Sequence, residues 1–348
     1  MNKLKKVLLG LLVLLMIGSI VGCGNKTGGG SEGGAKAAEY DPSKEPVAVC
    51  MMVMNHPVHR IVQLGFLKAA KELGYTNAKV IGTESGDAME AFATVEPFIA
   101  EGGKGLLLWA GDSSAYSTLK LAKNAGVAVG VPHFKHNPVP EGLTFGMACD
   151  PAHYGAQVAE FMASKLSGKS GSVAITQNTK NLTEDAASDS FQKTWASLGS
   201  KYDLSKIKLL PVQLEGAVVD QATAVNLAII QANRDLIGAF GTTGNSPITW
   251  ADAASKAGKK DGELVIVGMD ATEGNLDNLE AGKVAALVAQ PLYEEAYKTM
   301  EYLDTVLRGG TVPQWTDLDA PIVTKDGSGP NGIAYHRNIA GEVKTFFK

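Results

Sequence analysis

"VAVCMMVMNHPVHRIVQLGFLKAAKELGY" (residues 47–75) sets the architecture of this chain. Its first eight residues are a continuous apolar run, suited to a strand buried on both faces. The remainder places Val62, Phe66, Ala69 and Leu73 at helical spacing. Pro57 fits a first helical turn and Gly74 a C-terminal stop. A buried strand, a short polar turn and an amphipathic helix make the opening half of a βαβ unit.

The same beat continues. "AKVIG" (78–82), "GLLLW" (105–109) and "VAVGV" (127–131) read as strands, and "DAMEAFATVEPFIAEG" (87–102) and "SSAYSTLKLAKNAG" (113–126) as helices. A second set starts with the helix "PAHYGAQVAEFMASKLSG" (151–168). Its strands are "GSVAIT" (171–176), "IKLLPV" (207–212), "LIGAFG" (236–241), "ELVIVGM" (263–269) and "VAALVAQ" (284–290). Helices at 185–199, 220–233, 246–258 and 272–282 separate them, and a last helix (291–310) precedes a tail read as irregular. Strands alternating with helices imply parallel sheets covered on both faces. Two such sets on about 300 residues imply two α/β lobes.

The chain opens "MNKLKKVLLGLLVLLMIGSIVGCG". Lysines, a short apolar run and small residues are the parts of an export signal. The run from Val7 to Val21 is shorter than the roughly 20 residues of a membrane-spanning helix. Ile20-Val21-Gly22-Cys23 resembles the lipobox of bacterial lipoproteins. Residues 1–22 are therefore expected to be a lipoprotein signal peptide, Cys23 the lipidated residue, and 23–45 a Gly-rich flexible tether. Two acyl chains suffice to anchor a protein stably, so the expected location is the outer face of the cytoplasmic membrane, or the periplasm.

Losing the leader's lysines takes the formal charge from −4 to −7, with no basic stripe for nucleic acid. Cys50 lies in an apolar strand pattern and reads as a buried free thiol; no catalytic cysteine is indicated. "GSGPNG" (327–332) matches GxGxxG, but it carries a proline and opens no βαβ unit, so it reads as a loop. No GxSxG nucleophile elbow at a strand-to-helix turn, no Walker loop and no HExxH motif is found. No enzyme and no cofactor are expected.

In open parallel sheets ligands bind beyond the carboxyl ends of the strands. The residues there include Asn55, His56 and His59, Trp109, His133 and Phe134, Asn178, Thr243 and Asn245, Asp270 and Gln290. Asp270 can accept from two neighbouring hydroxyls, the amides can donate and accept, and Trp109 or Phe134 can offer a ring face. His56, His59, His133 and His136 could in principle hold zinc. Direct histidine bonds to ligand are the preferred reading, and no metal is expected.

"MNHPVHRIVQLGFLKAAKELGY" (54–75), "NAGVAVGV" (124–131) and "VIVGMDATEGNLDNLEAGKVAALVAQPLYEEAY" (265–297) resemble, in order, segments of ribose-binding-protein-like periplasmic binding proteins. The resemblance covers residues 46–310. It implies a type I periplasmic binding protein fold, with two Rossmann-like doubly wound parallel-sheet lobes joined by a three-strand hinge. The N-terminal lobe would be 46–147 plus 291–318, and the C-terminal lobe 148–290 plus 319–348. It also implies a monomeric receptor that delivers a small neutral sugar or polyol to an ABC transporter permease. The alternative is a sensory lipoprotein presenting a sugar-like signal to a membrane receptor or kinase.

Two departures from the family pattern stand out. His133-Phe134 replaces the Asp-Arg pair frequent in sugar binders, and residues 171–233 contain no arginine. Arginine is the usual clamp for carboxylate and phosphate, so its absence favours a neutral ligand.

Overall fold

The structure, a computed structural model, describes residues 40–348. The signal peptide, Cys23 and the tether up to residue 39 lie outside the described residues. Among those described, no helix is long and apolar enough to cross a membrane.

The first half runs β1 (Val47–Met51), α1 (Pro57–Glu72), β2 (Ala78–Gly82), α2 (Ala88–Ala93), α3 (Val95–Ala100), β3 (Gly105–Leu108), α4 (Tyr116–Asn124), β4 (Ala128–Pro132) and β5 (Phe145–Cys149). The second runs α5 (Pro151–Leu166), β6 (Gly171–Gln177), α6 (Leu182–Ser197), β7 (Ile207–Leu209), β8 (Gln213–Leu214), α7 (Val219–Ala232) and β9 (Leu236–Gly241). It continues with α8 (Ser246–Lys256), β10 (Val265–Met269), α9 (Glu273–Glu280) and β11 (Ala286–Val288). Then come α10 (Leu292–Leu307), β12 (Trp315–Leu318), β13 (Ile322–Val323) and α11 (Ile333–Phe346).

Two sheets result. The first has the order β12-β5-β4-β3-β1-β2, all parallel. The second has β13-β11-β10-β9-β6-β7 with β8 also on β6, parallel except for β13. Leaving out the last strand of each, both follow one winding, reversing between β1 and β3 in the first lobe and between β6 and β9 in the second. Such reversals open a crevice at the carboxyl edge. The chain passes between sheets three times: from β5 into α5, from β11 into α10, and from β12 into β13.

Each sheet is buried on both faces. Val49, Phe66 and Met300 pack one side of the first and Leu106, Phe98 and Val131 the other. In the second, Phe191 and Met162 lie on one side, Trp250 and Ile266 on the other. Trp250 is wholly buried and donates its indole N–H to Thr176 Oγ1 at 2.9 Å, so its ring fills the core without an orphaned donor. Local chemistry starts the helices. Asp150 caps α5 at Ala152 N (2.9 Å) ahead of Pro151, and Asn181 caps α6 at Glu184 N (2.9 Å).

Several expectations are corrected. The single helix over 87–102 is two, α2 and α3, meeting at Thr94. Pro97 has no N–H to donate to Ala93, and Thr94 Oγ1 instead bonds the Ala91 carbonyl at 2.6 Å. "IKLLPV" (207–212) is cut short: β7 ends at Leu209, ahead of Pro211, and β8 begins only at Gln213. The strand β5, whose Gly146 lies against the Trp315 ring, has no long apolar run to announce it. The tail is ordered, contributing β12, β13 and α11. Residues 327–332 form a turn leading into α11, with a short 3-10 helix at Gly329–Asn331. Cys50 and Cys149 are free and buried, and burial pushes the Cys50 thiol up to about 12.

Candidate functional site

A cavity of about 490 Å³ opens where the carboxyl edges of the two sheets meet. His56, Pro57 and Val58 from the start of α1, and His133 after β4, supply one wall. Asn178 after β6, Thr243 to Asn245 after β9, Asp270 after β10 and Thr272 to Gly274 at α9 supply the other. Gln290, at the second crossing, lies between them. A smaller cavity of about 230 Å³ shares His133, Thr243, Gly244 and Gln290, and adds Phe134, Tyr154, Leu182 and Glu184.

Asp270 is the most constrained group in this site. Its backbone takes φ +66°, free of cost only for Gly and least costly among the other residues for Asn and Asp. Its N–H donates to Val288 O at 2.8 Å, and its carbonyl accepts from Asn275 Nδ2 at 2.9 Å, which fixes the turn. The carboxyl is buried, and Oδ1 has no hydrogen-bond partner. Burial raises its pKa to about 6, against the opposing pull of His133 and with a further push from Glu295. Gly244 has no side chain, and a Cβ there would strike Asp270 Oδ2. Asn178 Oδ1 is likewise buried and without a partner, while its N–H is fixed by Glu184 Oε2 at 2.6 Å. Glu184 Oε2 also accepts from Thr242 Oγ1 at 2.8 Å, so one carboxylate ties the loops after β6 and β9 together.

The opposite wall is aromatic and internally bonded. Trp109 stacks on His133 with ring centres 4.8 Å apart, and Phe134 meets both rings edge-on. His133 also has positive φ (+77°), held by its N–H bond to Met147 O at 2.7 Å. Its Nδ1 lies 3.0 Å from Glu295 Oε2. Burial opposes a charge on His133, but the Glu295 carboxylate and the more distant Asp270 outweigh it and raise the pKa.

Seven of the sequence-derived candidates line the larger cavity: His56, His133, Asn178, Thr243, Asn245, Asp270 and Gln290. Phe134 lines the smaller one. Asn55, His59 and Trp109 line neither. Asn55 turns outward, and its Oδ1 accepts from Arg60. His59 faces inward against Trp109, with Nδ1 2.7 Å from Val53 O, and burial lowers its pKa to about 4. Trp109 is buried behind His133 rather than presenting a free face. His136 bonds Ala110 O at 2.8 Å. The four histidines do not converge, and among the described residues no group of three metal-ligating side chains does.

Sequence reasoning missed Gly244, Ile248, Thr272, Glu273, Tyr154, Leu182 and Glu184. The run Thr243-Gly244-Asn245 carried a signal, a glycine between two polar residues after a strand; the helix-borne residues carried none. A further cavity of about 520 Å³ lies beside the second and third crossings, with Glu294, Lys298 and Tyr335 in its wall. It contains none of the orphaned buried polar atoms.

Residues 47–311 match a family model described as a periplasmic binding protein domain. The chain belongs to that family. It is a family of solute-binding proteins, not of catalysts. This periplasmic binding protein is 26% identical over 296 residues to the ribose import binding protein of Escherichia coli (strain K12), covering 81% of this chain and 92% of that one. It is 23% identical over 265 residues to a D-apiose import binding protein of Paraburkholderia graminis, with 75% and 81% covered. Among solved structures, a sugar ABC transporter sugar-binding protein from Bacillus halodurans superposes with TM-score 0.74 at 20% identity, covering 84% of this chain and all of that one. A Burkholderia graminis solute-binding protein in complex with D-arabinose gives 0.73 at 22% identity, with 82% and 97% covered. These likenesses carry the fold.

Proposed function

We propose that this periplasmic binding protein is the extracytoplasmic receptor of an ABC importer, anchored through Cys23, and closes its interlobe cavity on a small neutral sugar or polyol. The observation that carries the reading is Asp270 Oδ1, a buried carboxylate oxygen with no partner, facing a cavity walled from both lobes. Buried polar groups are almost always bonded, so an open one in a cavity calls for a donor from outside. Asn178 Oδ1 makes the same demand. Neither cavity wall contains lysine or arginine, and His133, which lines both, already faces Glu295, so an anionic sugar phosphate or a carboxylate would meet no free countercharge. The names of the relatives, ribose and apiose import proteins, point the same way.

A ligand bonded to Asp270 and Asn178 on one lobe and touching His56 and His133 on the other binds the closed form better than the open one. It thereby shifts the population toward closure. Gln290, on a crossing, would register that closure.

The test is a thermal-shift screen against neutral pentoses, hexoses and cyclitols, with amino acids and sugar phosphates as the contrasting set. A true ligand at 100 times its dissociation constant adds about 2.7 kcal/mol of stability. A neutral sugar that raises the melting temperature of the parent but not of Asp270→Ala supports the proposal. A response to sugar phosphates or amino acids alone would sink it.

A further inference from the structure

Residues beyond 311 lie outside the family match, and the last of them form α11, which touches both lobes. On the first lobe, Glu342 pairs with Lys68 of α1, and the Arg60 guanidinium stands 4.3 Å from the centre of the Phe347 ring. On the second lobe, Arg337 reaches Asp277 at 2.6 Å and Glu280 at 2.9 Å, both on α9. Lys344 reaches Glu273 Oε1 at 2.6 Å, and Arg337 also donates to the Glu273 carbonyl at 3.4 Å. Between these contacts, His336 and Ile339 of α11 line a small cavity together with Ile61 and Gln290. The first turns of α1 and α9 both line the larger cavity, and Glu273 is part of its wall.

Two lobes joined only by three crossings could part by bending there. Here a fourth connection spans them beside the cavity, made of side chains rather than of the covalent chain. Any motion separating α1 from α9 must break the contacts on one side of α11. Exposed ion pairs are individually weak, but these all oppose one motion.

We propose that α11 is a strap that biases the two lobes toward the closed arrangement, with Arg337 and Lys344 as positioning residues that hold Glu273 at the cavity wall. Ligand affinity and release then depend on residues 333–348, which contribute nothing to the cavity lining. The inference rests on the two-lobed hinge and is independent of which sugar binds.

Pulsed electron-spin distance measurement reads the opening directly. The full chain, in detergent, carries Cys23→Ser and one nitroxide on each lobe, at Ser113→Cys and Val218→Cys. No ligand is added, so failure of the sugar reading leaves this result interpretable. In the parent the distance distribution is narrow. Glu342→Lys enriches the long distances roughly twofold to fivefold, the range expected for one exposed ion pair. The exchange Lys68→Glu with Glu342→Lys restores the parent distribution. Lys344→Glu opens the lobes from the other side, whereas Lys344→Arg does not. A chain ending at Gly332 opens furthest, and the charge reversals decide the matter should that chain not fold. If melting temperature falls in these variants while the distances stay those of the parent, α11 only packs and the proposal is overturned. Unchanged distances with unchanged stability overturn it equally.

Discussion

On the first-lobe side of the cavity the histidines are paired within the protein: His133 with Glu295, His59 with Val53 O, His136 with Ala110 O. On the second-lobe side Asp270 Oδ1 and Asn178 Oδ1 have no partner at all. The contrast extends beyond the site. Among the described residues, the orphaned buried side-chain oxygens (on Gln157, Gln177, Asn178, Asn226, Asp270 and Asn275) all lie between β5 and α10, while Trp315 Nε1 is the one orphan elsewhere. One wall is therefore a finished surface to close against. The other has hydrogen-bonding capacity left over, and there a ligand's donors have something to gain.

The largest test of this asymmetry is His133→Asn, which keeps a residue tolerant of positive φ but strips Glu295 of its cation. Breaking a buried pair costs about 3–5 kcal/mol, so chemical denaturation at a pH that keeps His133 protonated should register a loss of that order. The raised His133 pKa gives the sign with pH. Its stabilisation is fully present below the unfolded value near 6.5 and is lost as pH rises through the folded value. His133→Asn should flatten that fall; an unchanged profile would mean that the pair is not formed.

Asp270→Asn follows, with opposite effects on binding and stability. A carboxylate raised from 3.8 to about 6 is strained while charged. The unfolded chain binds fewer protons between those values, so stability falls as pH rises from about 4 to 6. The neutral amide removes that penalty, and the ligand-free protein should gain about 3 kcal/mol at pH 7. Calorimetry should show sugar binding weakened about a hundredfold in the same variant, the loss of two charge-assisted bonds. Retained binding would move the specificity determinant elsewhere in the cavity.

Asn178→Ala should weaken binding about tenfold, as for one neutral hydrogen bond, with little change in melting temperature. Asn55→Ala is the smallest. Its side chain answers Arg60 at the surface, so affinity should stay within about 0.5 kcal/mol of the parent. A larger loss would show that the first lobe does contribute a donor.

Much of the fold was legible because burial imposes period. "VAVCM" and "VIVGM" are apolar throughout because both faces of their sheets are covered, and they became β1 and β10. β5 escaped because "FGMAC" mixes small and large residues to fit Trp315 over Gly146, a requirement set by a strand 169 residues away. The tail escaped because α11 owes its place to ion pairs with α1 and α9, which no local pattern predicts. At the site, Asp270 was legible from its place after a strand and before an acidic helix. His59 was misleading: the same spacing that put it near His56 also turned its ring under the loop, toward Val53 and Trp109.

The sequence alone determined the alternation of buried strands and amphipathic helices, and hence two parallel-sheet lobes, because periodicity answers to burial within each short segment. It also determined that polar residues follow the strands at their carboxyl ends. Tertiary structure decided which of those residues face the cavity, that Asp270 loses its solvent and gains no partner, and that the last helix ties the lobes together. Those outcomes depend on distances between segments far apart in the chain, and on which surfaces of each are already taken.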